Sequence, residues 1–191
     1  MDIKLNGVPQ YYEEIKNDTL AAKFNMASDV DTCSLLRTLA KAKSGRRYLE
    51  LGTGTGLSTA WILDGIDKDA VLISIDNDPD VLNIADKYLS GDPRLTLVRE
   101  DGFNWIEKNQ DQKFDFIFAD TWPGKYYLLA QTLNMLNQGG IYFIDDMKPQ
   151  ANWPEGHDLK VAELTETLNR NNGVFATHLD WATGIIIVVK I

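Results

Sequence analysis

From Arg47 onward, short apolar runs alternate with segments whose apolar positions recur every three or four residues. That alternation predicts strand–helix–strand units around a parallel sheet. The runs Arg47–Leu51, Val71–Asp76, Leu95–Glu100, Phe114–Asp120 and Gly140–Asp145 are the expected strands. Between the last two, Tyr126, Leu129, Ala130, Leu133 and Leu136 fall at helical spacing and predict an amphipathic helix over Lys125–Leu136, stopped near Gly139-Gly140. Val161, Leu164 and Leu168 mark a further helix. After it, Val174–Leu179 and Gly184–Val189 flank the polar connection Asp180-Trp181-Ala182-Thr183, so an antiparallel pair should close the sheet. Upstream, Thr19–Met26 and Ser28–Ala42 are predicted helices, with Ser28 or Asp29 as N-cap. The expected fold class is therefore α/β, a doubly wound, mostly parallel seven-stranded sheet with an antiparallel C-terminal strand pair and helices on both faces.

Composition adds bounds. The 191 residues are 44% hydrophobic and 25% charged, which suits one globular domain with a full core. We expect a single domain over 1–191, with 1–44 as an N-terminal helical cap on a core of 45–191. The formal net charge of −9 and the lack of any basic run disfavour a nucleic-acid partner, which needs a Lys/Arg footprint. Cys33 is the only cysteine, so no disulfide framework is available and a reducing cytoplasm is expected. Met1–Gln10 lacks a signal-peptide core and no run approaches the ~18 apolar residues of a membrane span, so no membrane association is expected.

Candidate chemistry concentrates in Glu50-Leu51-Gly52-Thr53-Gly54-Thr55-Gly56-Leu57-Ser58-Thr59, a strand-end acid, three glycines at alternate positions and a hydroxyl pair able to open a helix. Glycine is needed where the chain turns tightly or the backbone approaches a ligand. The spacing is neither G-x-G-x-x-G nor the phosphate loop with its lysine, and Glu50 would repel a pyrophosphate. Acids then recur at strand ends, where open α/β sheets bind ligands: Asp76, Asp101, Asp120 and Asp145-Asp146. Asp76 lies 20 residues after Gly56, where a carboxylate accepts both ribose hydroxyls.

This order of residues resembles motif I of the class I S-adenosylmethionine-dependent methyltransferases. It is similar in particular to the catechol and caffeoyl-CoA O-methyltransferase-like family, over about Met26 to Lys190. The matching stretches are Asn25-Met26-Ala27-Ser28, Gly56-Leu57-Ser58, Phe114-Asp115-Phe116-Ile117-Phe118-Ala119-Asp120 and Gly139-Gly140-Ile141-Tyr142-Phe143-Ile144-Asp145-Asp146. The resemblance implies a Rossmann-like fold and S-adenosylmethionine as cofactor, held by Met26, Glu50, Gly52, Thr53, Gly54, Gly56, Ser58, Asp76 and Asn77. Asp101-Gly102 would meet the adenine, with Asp120 and Trp122 completing the cofactor site. It also implies a divalent cation such as Mg²⁺ on Asp120, Asp145 and Asp146, and a homodimer, since many relatives pair.

Two departures bear on the chemistry. The family places a lysine three residues after the first metal acid, whereas Lys125 stands five after Asp120; Asp146 replaces the usual Asn. The expected reaction is methyl transfer to a hydroxyl oxygen of a small molecule, with Asp120, Lys125 and His157 as catalytic candidates. Met147–Asp158 carries Pro149 and Pro154 and should fold over the strand ends as a lid, with Trp122 and Trp153 as aromatic walls. Two other classes compete: a methyltransferase on nitrogen of a protein or nucleic acid, and a nucleotide-binding protein without methyltransferase activity. The N/D-P-P-Y/F motif common among base-nitrogen methyltransferases is not matched by Asp120-Thr121-Trp122-Pro123.

Overall fold

A computed structural model describes residues 7–151 and 153–191. The expectation for the N-terminal segment falls in part on Met1–Asn6, and Asn152 belongs to the expected lid; both lie outside the described residues. Seven strands, β1 (Arg47–Leu51), β2 (Val71–Asp76), β3 (Leu95–Arg99), β4 (Phe114–Ala119), β5 (Leu136–Ile144), β6 (Val174–Leu179) and β7 (Ile185–Lys190), form one sheet in the order β3-β2-β1-β4-β5-β7-β6. The first five are mutually parallel, and β7 runs antiparallel to both β5 and β6. The chain leaves β1 toward β3 and returns to β4 on its other side, so the crevice for a ligand opens between β1 and β4.

The two-residue period of the strands divides the core. Leu49, Leu51, Ile117, Ala119 and Ile144 face one layer, where they meet Trp105 and Ile106 of α5 (Gly102–Lys108), Leu133 of α7 (Leu129–Asn134) and Leu164 and Leu168 of α8 (His157–Arg170). Tyr48, Phe116, Phe118 and Phe143 face the other. There they pack on Ile15 of α1 (Tyr12–Ala21), Leu36 and Ala40 of α2 (Val30–Ala42), Ala60 and Leu63 of α3 (Leu57–Gly65) and Leu89 of α4 (Pro79–Leu89). Both strand faces are covered, which is why the strands read as unbroken apolar runs.

Two helix expectations need correction. The first helix is Tyr12–Ala21, earlier than Thr19–Met26, because Lys23 adopts φ 55°. The Lys23 N–H then donates to Leu20 O and that of Phe24 to Thr19 O, a Schellman ending with lysine where glycine is usual. Residues 24–28 are freed to cross the strand ends. The second correction shortens Lys125–Leu136 to α7. Before it, the turn α6 (Trp122–Lys125) is broken by Pro123 at ψ 134° and Gly124 at φ 89°, and Leu128 sits at φ 59°. Leu136 and Gly139-Gly140 belong to β5, with a register shift opposite Phe114/Phe116 that the glycines admit. Asp29, of the two N-cap candidates, accepts the Asp31 N–H at 2.8 Å and caps α2.

Candidate active site

The carboxyl ends of β1, β2, β4 and β5 open into a cavity of about 520 Å³. The three motif glycines all have positive φ, but their neighbours differ. A Cβ on Gly52 would stand 3.1 Å from Asp120 O, and one on Gly54 3.2 Å from the Phe24 ring, and both glycines line the cavity. A Cβ on Gly56 would meet Ala85 at 2.9 Å, so Gly56 permits α3 to pack on α4 and lies off the cavity wall. Asp76 pins the turn: one oxygen accepts the Gly54 N–H at 2.8 Å, the other that of Asp78 at 3.0 Å. From the far side, Thr19 of α1 donates to Thr55 Oγ1 at 2.7 Å.

Glu50 departs from its expected role. Strand alternation points it toward α3, where its carboxylate accepts from Ser58 and Thr59 at 2.6 Å each and from Ser74 at 2.5 Å, and it is fully buried away from the cavity. It ties the glycine turn to α3 and β2. Burial, only partly offset by the three hydroxyls, raises its carboxyl from 4.5 to about 7. Unfolded Glu50 releases its proton near pH 4.5 while the folded state keeps it to about pH 7, so the folded state binds more protons in between. Stability should fall as pH rises through that window, by about 3 kcal/mol from this group alone. Urea titrations from pH 4.5 to 8 on the protein and on Glu50→Gln check this: the slope should flatten in the variant.

Met26, Thr53, Ser58, Asn77, Asp76, Asp120 and Trp122, the residues expected to hold a cofactor, line the cavity, although the Ser58 hydroxyl is given to Glu50. Asp101 and Gly102 do not. Asp101 caps α5, accepting from Phe103 N and Asn104 N at 3.0 and 3.2 Å, and Gly102 abuts Pro123.

Across the cavity stand Asp120, Lys125, Asp145 and Asp146. Ser28 Oγ donates to Asp120 at 2.8 Å. Asp145 Oδ1 accepts from Thr183 at 2.5 Å, from the Asp146 N–H at 2.8 Å and from Thr32 at 3.4 Å. Lys125, 3% exposed, donates to Asp145 O at 2.6 Å. Among the described residues no three His, Cys, Asp or Glu side chains are grouped to hold a metal ion. One oxygen of Asp145 is already saturated and an ammonium stands among the acids, so the expected cation set of Asp120, Asp145 and Asp146 does not fit a divalent ion as arranged. Burial first, then the charge of Asp145, holds the Asp120 carboxyl well above the usual carboxylate range, against the pull of Lys125. Asp145 is likewise raised, by burial.

An aromatic group forms the remaining wall. His157 packs against Trp153 with ring centroids 4.3 Å apart and against Trp122 at 5.7 Å, and its Nε2 lies 3.0 Å from the Tyr126 hydroxyl. Met147 N and Lys148 N donate to Gly184 O and Thr183 O at 3.0 and 2.8 Å, anchoring the segment that brings Trp153 and Pro154 to the cavity. Phe24, Ser28, Gln150 and Thr183 were missed as site residues. Only Ser28 had a signal, the Met-x-Ser stretch before α2. Thr183 had none, since a threonine in a hairpin connection reads as a turn.

Comparison with known proteins decides the family: the O-methyltransferase family model matches residues 5–191. The chain belongs to the O-methyltransferase family. A candidate O-methyltransferase of Mycobacterium marinum is 28% identical over 140 residues, 70% of this chain and 62% of that protein, and one of Mycobacterium leprae is 29% identical over the same shares. The matched stretch thus spans a little over three fifths of these relatives. Among solved structures, the O-methyltransferase of Bacillus cereus in complex with SAH superposes with a TM-score of 0.84 at 19% identity, covering 98% of this chain and 94% of that one. One from Streptomyces achromogenes involved in tomaymycin synthesis, in complex with SAM, gives 0.83 at 17% identity over 98% and 92%. These likenesses establish that this O-methyltransferase-family chain has the Rossmann-like methyltransferase fold. No helix of the described residues is long and apolar enough to cross a membrane.

Proposed function

We propose that this chain transfers a methyl group from S-adenosylmethionine to a hydroxyl oxygen of a small molecule. The observation that carries the reading is one cavity shared by the Gly52–Gly54 turn with Asp76 on one side and Asp120, Lys125 and the aromatic wall on the other. Family membership and cofactor-bound relatives of the same fold support it. Asp76 would take the ribose hydroxyls, the exposed backbone of Gly52–Gly54 would run beside the methionine portion, and Met26 and Trp122 would close over the ligand.

Methyl transfer from a sulfonium is an in-line displacement, so the protein has to align donor and acceptor and accept one proton. Asp120 would take that proton when ionised, since a carboxylate whose proton affinity burial and the charge of Asp145 raise is a stronger base than an ordinary one. Lys125 would hold the oxygen's developing negative charge beside it. His157 is a poorer base, since burial and then Lys125 push it below its usual value. The single buried cysteine, Cys33, suits a cytoplasmic setting, and the acceptor is read as a small molecule because the protein is acidic. Titration calorimetry tests the reading: S-adenosylhomocysteine should bind saturably and NAD should not, and the reverse overturns it.

The Trp153 segment is read as a cover on the acceptor side. Trp153→Ala should raise the acceptor KM or lower kcat at least tenfold while S-adenosylhomocysteine affinity and melting temperature stay close to the parent. A large loss of stability with weakened cofactor binding would make Trp153 a packing residue.

A further inference from the structure

A second opening, a groove of about 460 Å³, lies between one face of α2 and the turn that joins β6 to β7, and it shares no lining residue with the strand-end cavity. Asp31, Leu35 and Thr38 fall on that face of α2, and Leu179 and Trp181 form the opposite wall. The walls are fixed. Leu35 and Leu179 pack on the core layer beneath them, the Trp181 Nε1–H donates to Asp31 O at 3.2 Å, and Lys148 holds the turn by pairing with Asp180 and donating to Ala182 O at 3.3 Å. Trp181 still leaves 40% of its surface exposed. Its one polar atom is already bonded, so what it presents to the groove is apolar ring. The charge is equally one-sided. Lys148 matches Asp180, whereas Asp31 bonds only through its backbone, to Asp29 and Trp181, and its carboxylate has no partner among the described residues.

We propose that this groove is a second ligand site, for a small organic ammonium ion whose apolar body lies on Leu35, Leu179 and the Trp181 ring and whose charge sits by Asp31. The volume is that of a small-ligand pocket, ~300–1,000 Å³, whereas a stable protein partner would have to cover about 800 Å² on each side. The apolar walls draw the body of the ligand, and a carboxylate beside an aromatic ring draws a cation through two attractions at once. An anion would meet Asp31 with like charge. So would a second copy of this chain docked groove to groove about a twofold axis, since it brings the two Asp31 carboxylates toward each other. The site is independent of which cofactor or acceptor occupies the strand-end cavity.

The test uses the full chain with ¹⁵N in its five tryptophans, the indole signal of Trp181 being identified from Trp181→Phe. It is titrated at pH 7 with 2-phenylethylamine, a cation, and with 2-phenylethanol and 3-phenylpropanoate, which carry the same ring on a neutral and an anionic end. The amine should shift the Trp181 signal saturably and bind about three- to tenfold tighter than the alcohol, with the carboxylate weakest. Asp31→Asn should bring the amine down to the affinity of the alcohol and leave the alcohol unchanged, while Asp31→Glu, which keeps the charge, should keep the preference. A Trp181 signal that the amine leaves in place, amine and alcohol binding alike, or a preference that survives Asp31→Asn in protein with the parent's melting temperature overturns the proposal. So does a shift confined to Trp122 and Trp153, which would put the amine in the strand-end cavity. Sedimentation of the parent as a dimer that Trp181→Glu dissociates would give the groove to a second copy and overturn it too.

Discussion

Glu50→Leu should lower the unfolding free energy by about 3–6 kcal/mol, because it leaves the hydroxyls of Ser58, Thr59 and Ser74 without their acceptor inside the core. That is a large share of the ~5–15 kcal/mol that holds a domain together. The effect should reach function through structure, since these groups tie the glycine turn to the start of α3 and to β2. Urea unfolding at pH 5, where the parent carboxyl is protonated, separates loss of hydrogen bonds from loss of charge. Glu50→Gln keeps one accepting oxygen and puts an amide NH₂, to which a hydroxyl can turn and accept, in place of the other, so it should lose far less than the leucine variant. A leucine variant as stable as the parent would mean that the three hydroxyls find other acceptors and that Glu50 holds nothing together.

Asp76→Ala should weaken S-adenosylhomocysteine binding between ten- and a hundredfold. Hydrogen bonds to a charged carboxylate contribute about 1.5–3 kcal/mol each, and Asp76 has two roles at once. It is placed to accept from the ribose, and it already holds the Gly54 N–H at 2.8 Å, keeping the glycine turn in shape. Asp76→Asn separates them: an amide oxygen can still accept from Gly54 N, so the turn persists while one ribose contact is lost, and affinity should fall to an intermediate value. Unchanged calorimetric affinity in a folded alanine variant would remove Asp76 from the cofactor site.

The sheet was legible because both faces of β1, β2, β4 and β5 are covered, which writes each strand as an apolar run ended by an acid. The glycine turn was legible for a related reason: Gly52 holds a φ of 100° with Asp120 O 3.1 Å from where a Cβ would stand, and a Cβ on Gly54 would press the Phe24 ring at 3.2 Å. Helix boundaries were less so. Lys23 and Leu128 end or open helices in the left-handed region where glycine is the expected signal, and the chain supplies ordinary side chains instead. Leu136 kept helical spacing with Leu129 and Leu133, yet pairing with Phe114 drew it into β5.

By itself, then, the order of residues determined which strands form, where the turn lies and which acids stand at the strand ends, since each follows from local periodicity or backbone sterics. Only the tertiary structure decided what those acids face. Glu50 turns under α3 because side chains alternate along β1, and Asp101 is used up as a cap. One oxygen of Asp145 accepts from Thr183, 38 residues away, and Lys125 enters among the acids because Pro123 and Gly124 bend the chain toward them. The pairing of His157 with Tyr126 and Trp153 joins α8 to two loops, and no local pattern encodes a contact that long-range packing creates.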